Sequence, residues 1–135
     1  MIRHIKTEAI DSYWSIVSGL IEPALDEETS ILDVYNKLMD EMMSLLSISI
    51  HGEIVAACVC EFVDYPRISA LRVVAVGGDR MKEWLPDLID ALDEWAEDSK
   101  IDRIEQMGRD GWMKVLKGYG YRKRYTFMTK ELSYG

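Results

Sequence analysis

The sequence predicts a single mixed α/β (α+β) domain over residues 1–135, with a mostly antiparallel central sheet flanked by helices, in the order β-α-α-β-β-β-α-β-α-β. Three observations carry that expectation. Two stretches of helical periodicity precede any long β-type run. Three β-type runs then follow one another between Leu45 and Val76, separated only by turn residues. Immediately after Gly77-Gly78 the apolar period changes from two to 3.6. At 135 residues there is room for one core and no second domain, and 48% hydrophobic residues are enough to fill it.

Each element has its own signal. Ile2 to Lys6 reads as a short half-buried strand. From Thr7, a side chain suited to an N-cap, Ala9, Ile10, Tyr13, Trp14, Val17 and Leu20 recur at three-to-four-residue spacing and predict a first helix. Glu22-Pro23 interrupts it. A second helix is expected from about Ser30 to Met43, with Ile31, Val34, Tyr35, Leu38, Met39 and Met42 on its apolar stripe. Leu45 to Ile50 alternates around Ser47 and Ser49, His51-Gly52-Glu53 supplies a turn, and Ile54 to Val63 is a β-branched apolar run, which together describe a hairpin. Asp64-Tyr65-Pro66 turns the chain into a third strand, Ile68 to Val76, and Gly77-Gly78 ends that meander. From Asp79, Met81, Trp84, Leu85, Leu88, Ile89, Leu92, Trp95 and Ala96 mark a long helix. Its length suits a right-handed crossover to a parallel strand at Ile101 to Met107. Gly111 to Lys117 is a short helix with Trp112, Val115 and Leu116 inward and Gly120 as its left-handed cap. A last strand is expected from Lys123 to Leu132.

Composition excludes several functions. A net charge of −8, from 24 acidic and 16 basic residues, repels nucleic acid and anionic membranes over most of the surface. No apolar run is long enough to cross a bilayer and no signal-type core follows Met1, so a cytoplasmic location is expected. Cys58 and Cys60, two apart in a strand-like run, share one sheet face as small buried residues. His4 and His51 join neither cysteine in a zinc spacing, so no metal is expected. There is no Gly-x-Ser-x-Gly elbow and no phosphate loop ending in Gly-Lys-Ser/Thr. Lys114, Lys117 and Arg122-Lys123-Arg124 make a local basic tract that an anionic ligand could meet.

The element order, the strand-turn-helix from Val73 to Trp84, and the ending Gly111-Trp112-Met113-Lys114-Val115-Leu116-Lys117-Gly118-Tyr119-Gly120-Tyr121 resemble the GNAT superfamily of CoA-dependent N-acetyltransferases across nearly the whole chain. The resemblance implies acetyl-CoA as cofactor and an amine of a small molecule or protein as acceptor. The cofactor-binding stretch would be Val76, Gly77, Gly78, Asp79, Arg80, Met81 and Lys82, with the amides of Gly78 through Lys82 on the pyrophosphate at a helix N-terminus. Tyr119 is the candidate proton donor to the leaving thiolate, and Glu61 or Asp64 the candidate base.

Three positions depart from the family pattern. With Arg80 at the first position of the family's turn, Glu83 and Leu85 stand where small residues are usual, and Leu116 stands where many members carry the acidic tyrosine. These departures support an alternative: a non-catalytic GNAT-like binding or structural protein that has lost the cofactor. It would be similar to short phage and prophage members, and virion-associated in that case. A third reading, an acidic DNA mimic, would use Asp87, Asp90, Asp93, Glu94, Glu97 and Asp98, which an ordinary solvated helix face also explains. The final strand, through Tyr125, Phe127 and Met128, is the expected contact for a protein partner or a second copy.

Overall fold

A computed structural model describes residues 1–134; Gly135 lies outside the described residues. Five strands form one sheet in the order β1-β2-β3-β4-β5: β1 Ile2–Ile5, β2 Ser44–Ile50, β3 Glu53–Asp64, β4 Ser69–Gly78 and β5 Arg103–Gln106. The first three pairings are antiparallel and β4·β5 is parallel. The helices are α1 Ile10–Ile21, α2 Ile31–Met39, α3 Met81–Asp98 and α4 Asp110–Leu116. The crossover from β4 through α3 to β5 is the one the helix length predicts, and the mixed, mostly antiparallel sheet is as expected.

Both faces of the sheet are covered, which makes two core layers. Leu45, Ala57, Val59 and Ala75 meet Val17 and Ile21 of α1 and Val34 and Leu38 of α2. Leu46, Ile48, Cys58, Cys60, Leu71 and Val73 meet Trp84, Leu88, Ile89 and Leu92 of α3, with Leu116 of α4. Period-two alternation in β2 to β4 therefore sorts side chains between two cores rather than between core and water. Ser47, read as part of a half-buried alternation, is consequently buried. Cys58 and Cys60 lie on one face with Sγ atoms 3.6 Å apart, both free thiols.

Local chemistry explains most boundaries. His51 (φ 51°) and Gly52 (φ 80°) make the left-handed two-residue turn that a tight hairpin requires. Ser30 caps α2 reciprocally with Asp33: each side chain accepts from the other's backbone N–H, at 3.1 and 2.9 Å. Thr7 does not cap a helix. It opens a short 3-10 turn before α1, and its hydroxyl donates to Glu41 Oε1 at 3.0 Å. The second helix stops at Met39, short of the expected Met43, because Glu41 takes a left-handed conformation (φ 60°) and the Met42 N–H closes back on Lys37 O at 2.8 Å. Met42 is exposed as a result.

Two further expectations are overturned. Gly77 and Gly78 do not form the turn; they are the last residues of β4, paired with Ala57 and Ala56, and the reversal is made by Asp79 and Arg80. The final strand does not form. Beyond Tyr121 the described residues belong to no helix or strand, so the order is β-α-α-β-β-β-α-β-α. The stretch has strand-type residues, but a lone strand leaves every N–H and C=O unpaired and is stable only beside a partner.

Candidate functional site

The site begins with a parting of two strands. β4 and β5 are bonded only from Ala70↔Arg103 to Val73↔Gln106. At the next residue β4 carries a bulge: Cys60 opposes Val73 and Val59 opposes Ala75, so Val74 is the extra residue. A bulge bends its strand and increases the local twist. β4 runs on to Gly78 beside β3 alone, so its β5-facing edge is open from Val74 onward.

That open edge leads to the start of α3. Arg80 adopts φ 63°, ψ 37°, and the helix begins at Met81. The N–H groups of Met81 and Lys82 have no acceptor within the helix, and the helix dipole makes that end attractive to anions. The Glu83 N–H donates to Arg80 O at 2.9 Å, and Trp84 Nε1 donates to Asp79 O at 2.6 Å, which pins the turn to the buried indole. Between α3 and α4 lies a cavity of about 240 Å³ lined by Met81, Arg109, Gly111, Trp112 and Val115. An Arg109–Asp26 ion pair of 3.6 Å ties the start of α4 to the α1–α2 connection across this end of the sheet. A slightly larger cavity, about 280 Å³, lies among His4, Lys6, Thr7, Glu41 and Ser44 at the other end of the sheet, away from the parting.

One residue below the last β4·β5 pair sits a polar network. Arg72 Nη1 contacts Glu61 Oε1 at 3.3 Å, Arg72 Nη2 contacts Glu105 Oε1 at 2.9 Å, and Tyr65 Oη donates to Glu105 at 2.7 Å. Arg103 Nη2 holds the other Glu105 oxygen at 3.0 Å. Burial pushes the Glu105 carboxyl up, but the hydrogen bonds from Tyr65, Arg72 and Arg103 outweigh it and hold the group below its ordinary value.

No protein-family model matches the sequence, and no protein of curated function matches it. Solved structures do. Ribosomal-protein-alanine N-acetyltransferase from Brucella melitensis biovar Abortus 2308 superposes with a TM-score of 0.74 at 14% identity, covering 98% of this chain and 99% of that one. A predicted acetyltransferase from Clostridium acetobutylicum, solved with acetyl-CoA, gives 0.67 at 18%, covering 97% and 95%. AAC(6')-Iy, in complex with a CoA-linked bisubstrate analogue, gives 0.70 at 14%, covering 98% of each chain. The chain has the GNAT fold. At such identities the likeness speaks for architecture.

Within this GNAT fold, the residues singled out from sequence fall in three places. Val76, Gly77 and Gly78 are in β4, and Asp79, Arg80, Met81 and Lys82 make the turn and the first helical positions. The two glycines serve packing. A Cβ on Gly77 would overlap the Leu20 carbonyl oxygen of α1, and one on Gly78 (φ 142°) would overlap Val55 O and Ala56. Arg80 is engaged by Glu83 through two contacts, Nη2 to Oε1 at 2.9 Å and Nε to Oε2, and this pairing lowers the Glu83 pKa. Glu61 is held by Arg72, on the opposite sheet face from the Leu71 and Val73 side chains. Tyr119 is 41% exposed at the end of the 3-10 turn Lys117–Tyr119.

Sequence reading missed three features: the Arg72 network, the Trp84–Asp79 lock and Tyr121. Tyr121 packs on the α3 layer, and its phenol is pushed up to about 12 by burial and by nearby Asp93, Cys58 and Cys60. Alternation of Arg72 between Leu71 and Val73 was visible, but its partner Glu105 depends on the β4·β5 register. Leu116 is buried in that same layer, so the residue that replaces a phenol here is a core side chain.

Proposed function

We propose that this chain is an acyl-CoA-dependent N-acyltransferase, using acetyl-CoA and acting on an amine of a small molecule or protein. The observation that carries the reading is the parting of β4 from β5 at Val73/Gln106, which leaves a strand edge aimed at the N-terminus of an 18-residue helix. The backbone groups of β4 from Val74 to Val76 offer an extended arm a strand-like partner. The N–H groups of Met81 and Lys82, with the Lys82 ammonium, suit a pyrophosphate. Acetyl-CoA when bound supplies an activated thioester. The chain supplies positioning: holding an amine at the thioester carbon is itself a large part of the rate in acyl transfer. Tyr119 and Tyr121 are the phenols available near α4 to return a proton, and Glu61 would have to leave Arg72 to act as base.

Of the amides expected on the pyrophosphate, that of Asp79 is taken by Val55 O at 3.0 Å, so Met81 and Lys82 would carry the backbone contact, and the side-chain fit is conditional. Glu83 holds Arg80 through Nε and Nη2 and offsets its charge at the helix start, which leaves the Nη1 donors as what Arg80 could offer an anionic ligand. That pair, with Leu116, favours a second reading: a GNAT fold kept for partner contacts without the cofactor.

Calorimetric titration with acetyl-CoA separates the two. Micromolar binding, about −8 kcal/mol, that tightens severalfold in Glu83→Gln and is lost in Lys82→Glu supports the enzyme. Absence of binding at millimolar cofactor in both the parent chain and Glu83→Gln leaves the second reading.

A further inference from the structure

Two cations besides Lys82 stand near the start of α3, and they are held differently. Arg80 is gripped by Glu83 through Nε and Nη2, so its charge is offset at the helix end. Arg109 precedes α4, and its carbonyl accepts from the Trp112 N–H at 2.9 Å, which fixes its backbone there. Of the residues lining the cavity of about 240 Å³ between α3 and α4, Arg109 alone among the described residues is charged. Met81 lines the same cavity and is the first residue of α3, with a backbone N–H that lacks a helical acceptor. One cavity therefore joins a guanidinium to a helix end that attracts anions.

The contact that Arg109 does make is a weak one. Its Nη2 lies 3.6 Å from Asp26 Oδ1, and the two side chains are 81% and 66% exposed. That separation exceeds an ordinary N–H···O bond, and water screens so open a pair. A guanidinium has five donors, and Asp26 engages one nitrogen of this one. Asp26 belongs to the α1–α2 connection, residues 22–30, where Glu22, Asp26, Glu27 and Glu28 are exposed and no basic residue occurs. The connection thus offers Arg109 a carboxylate without holding it.

We infer that Arg109 is an exchangeable phosphate-binding residue, which leaves Asp26 for the pyrophosphate of an acyl-CoA at the start of α3, and that Asp26 is the internal competitor for its guanidinium. The inference rests on the acyl-CoA reading above and adds to it a cation and the group that restrains it. The exchange runs downhill because a phosphate takes paired, charge-assisted hydrogen bonds from a guanidinium, whereas Asp26 gives up one long exposed contact.

The test is calorimetric titration of acetyl-CoA, and of dephospho-CoA, which keeps the pyrophosphate and lacks the 3′-phosphate, into the full chain and its Arg109→Gln, Asp26→Asn and doubly substituted variants. The pair is exposed, so all three should melt with the parent. Arg109→Gln is expected to weaken both ligands about tenfold. Asp26→Asn is expected to tighten both about two- to fivefold in the parent, and to change nothing once Arg109 is glutamine, because Asp26 acts through Arg109. A pair that merely braced the fold would weaken binding when broken from either side. Weaker binding by Asp26→Asn therefore overturns the inference, and so does equal tightening in both backgrounds, which would mark a long-range charge effect. A loss confined to acetyl-CoA overturns it too, since Arg109 would then serve the 3′-phosphate. Binding by the parent that Arg109→Gln leaves unchanged overturns this inference alone, whereas no binding by the parent or by Glu83→Gln removes the acyl-CoA reading and this inference with it.

Discussion

Gly77 and Gly78 show how a residue can be read correctly as special and for the wrong reason. A glycine pair between a strand and a helix suggests a loop opened for a ligand. Here the missing side chains admit the Leu20 carbonyl of α1 and the Val55–Ala56 backbone of β3. Gly77→Ala is therefore expected to destabilise the fold by about 1–3 kcal/mol, because the obstructing atom is backbone and cannot rotate away. Urea unfolding measures it, and a loss near zero would mean that α1 shifts freely. Tyr121 gives a second residue-scale expectation. Its phenol titrates near 10 in the unfolded chain and at about 12 when folded. Between those values the folded state retains a proton that the unfolded state has released, so stability falls as pH rises through that window. Tyr121→Phe should show a smaller fall than the parent over the same range and match it below pH 10. Identical profiles would sink the assignment.

Helix ends were the elements least legible beforehand. Three helical segments close with the same pair of backbone bonds. Met42 N–H reaches Lys37 O and Glu41 reaches Leu38; Ile101 reaches Ala96 and Lys100 reaches Glu97; Tyr121 reaches Leu116 and Gly120 reaches Lys117. Only the last uses glycine, and only that one was anticipated from sequence. Glu41 and Lys100 adopt the left-handed conformation at φ 60° and 57° because the β2 and β5 connections demand it. Lys100→Gly should accordingly stabilise the chain by about 0.5–1 kcal/mol, the steric relief less the extra unfolded-state entropy of glycine. Thermal unfolding reads it, and a lowered midpoint would show that Lys100 makes a contact worth more than the strain. The unformed last strand errs the other way. The residues from Lys123 to Leu132 have strand propensity, but propensity cannot provide a neighbour, and pairing belongs to two segments rather than to one.

Across the whole molecule, one sheet divides two apolar layers, and residues 122–134 lie outside both. A dilute trypsin digest should therefore cut first among Arg122, Lys123, Arg124 and Lys130, leaving a body that unfolds as one cooperative transition. First cuts at Arg67 or Arg109, which are also exposed, would place the weak point in the body instead. No helix among the described residues is long and apolar enough to cross a membrane, and none of their His, Cys, Asp and Glu side chains group into a metal-ligand cluster.

Periodicity alone determined which segments are helices and strands through Tyr121, that β2, β3 and β4 form a meander, and that α3 returns the chain to a parallel strand. Those features depend on side-chain spacing along one segment, which the sequence contains in full. Tertiary structure decided the rest. It decided that the glycines pack rather than turn, that Arg80 is engaged by Glu83, and that Arg72 gathers Glu61 and Glu105. It also decided that β4 parts from β5 after Val73 and that the described residues beyond Tyr121 join no strand. Each of these depends on the register of one element against another, and register is set by how two apolar layers fill, not by any one stretch of residues.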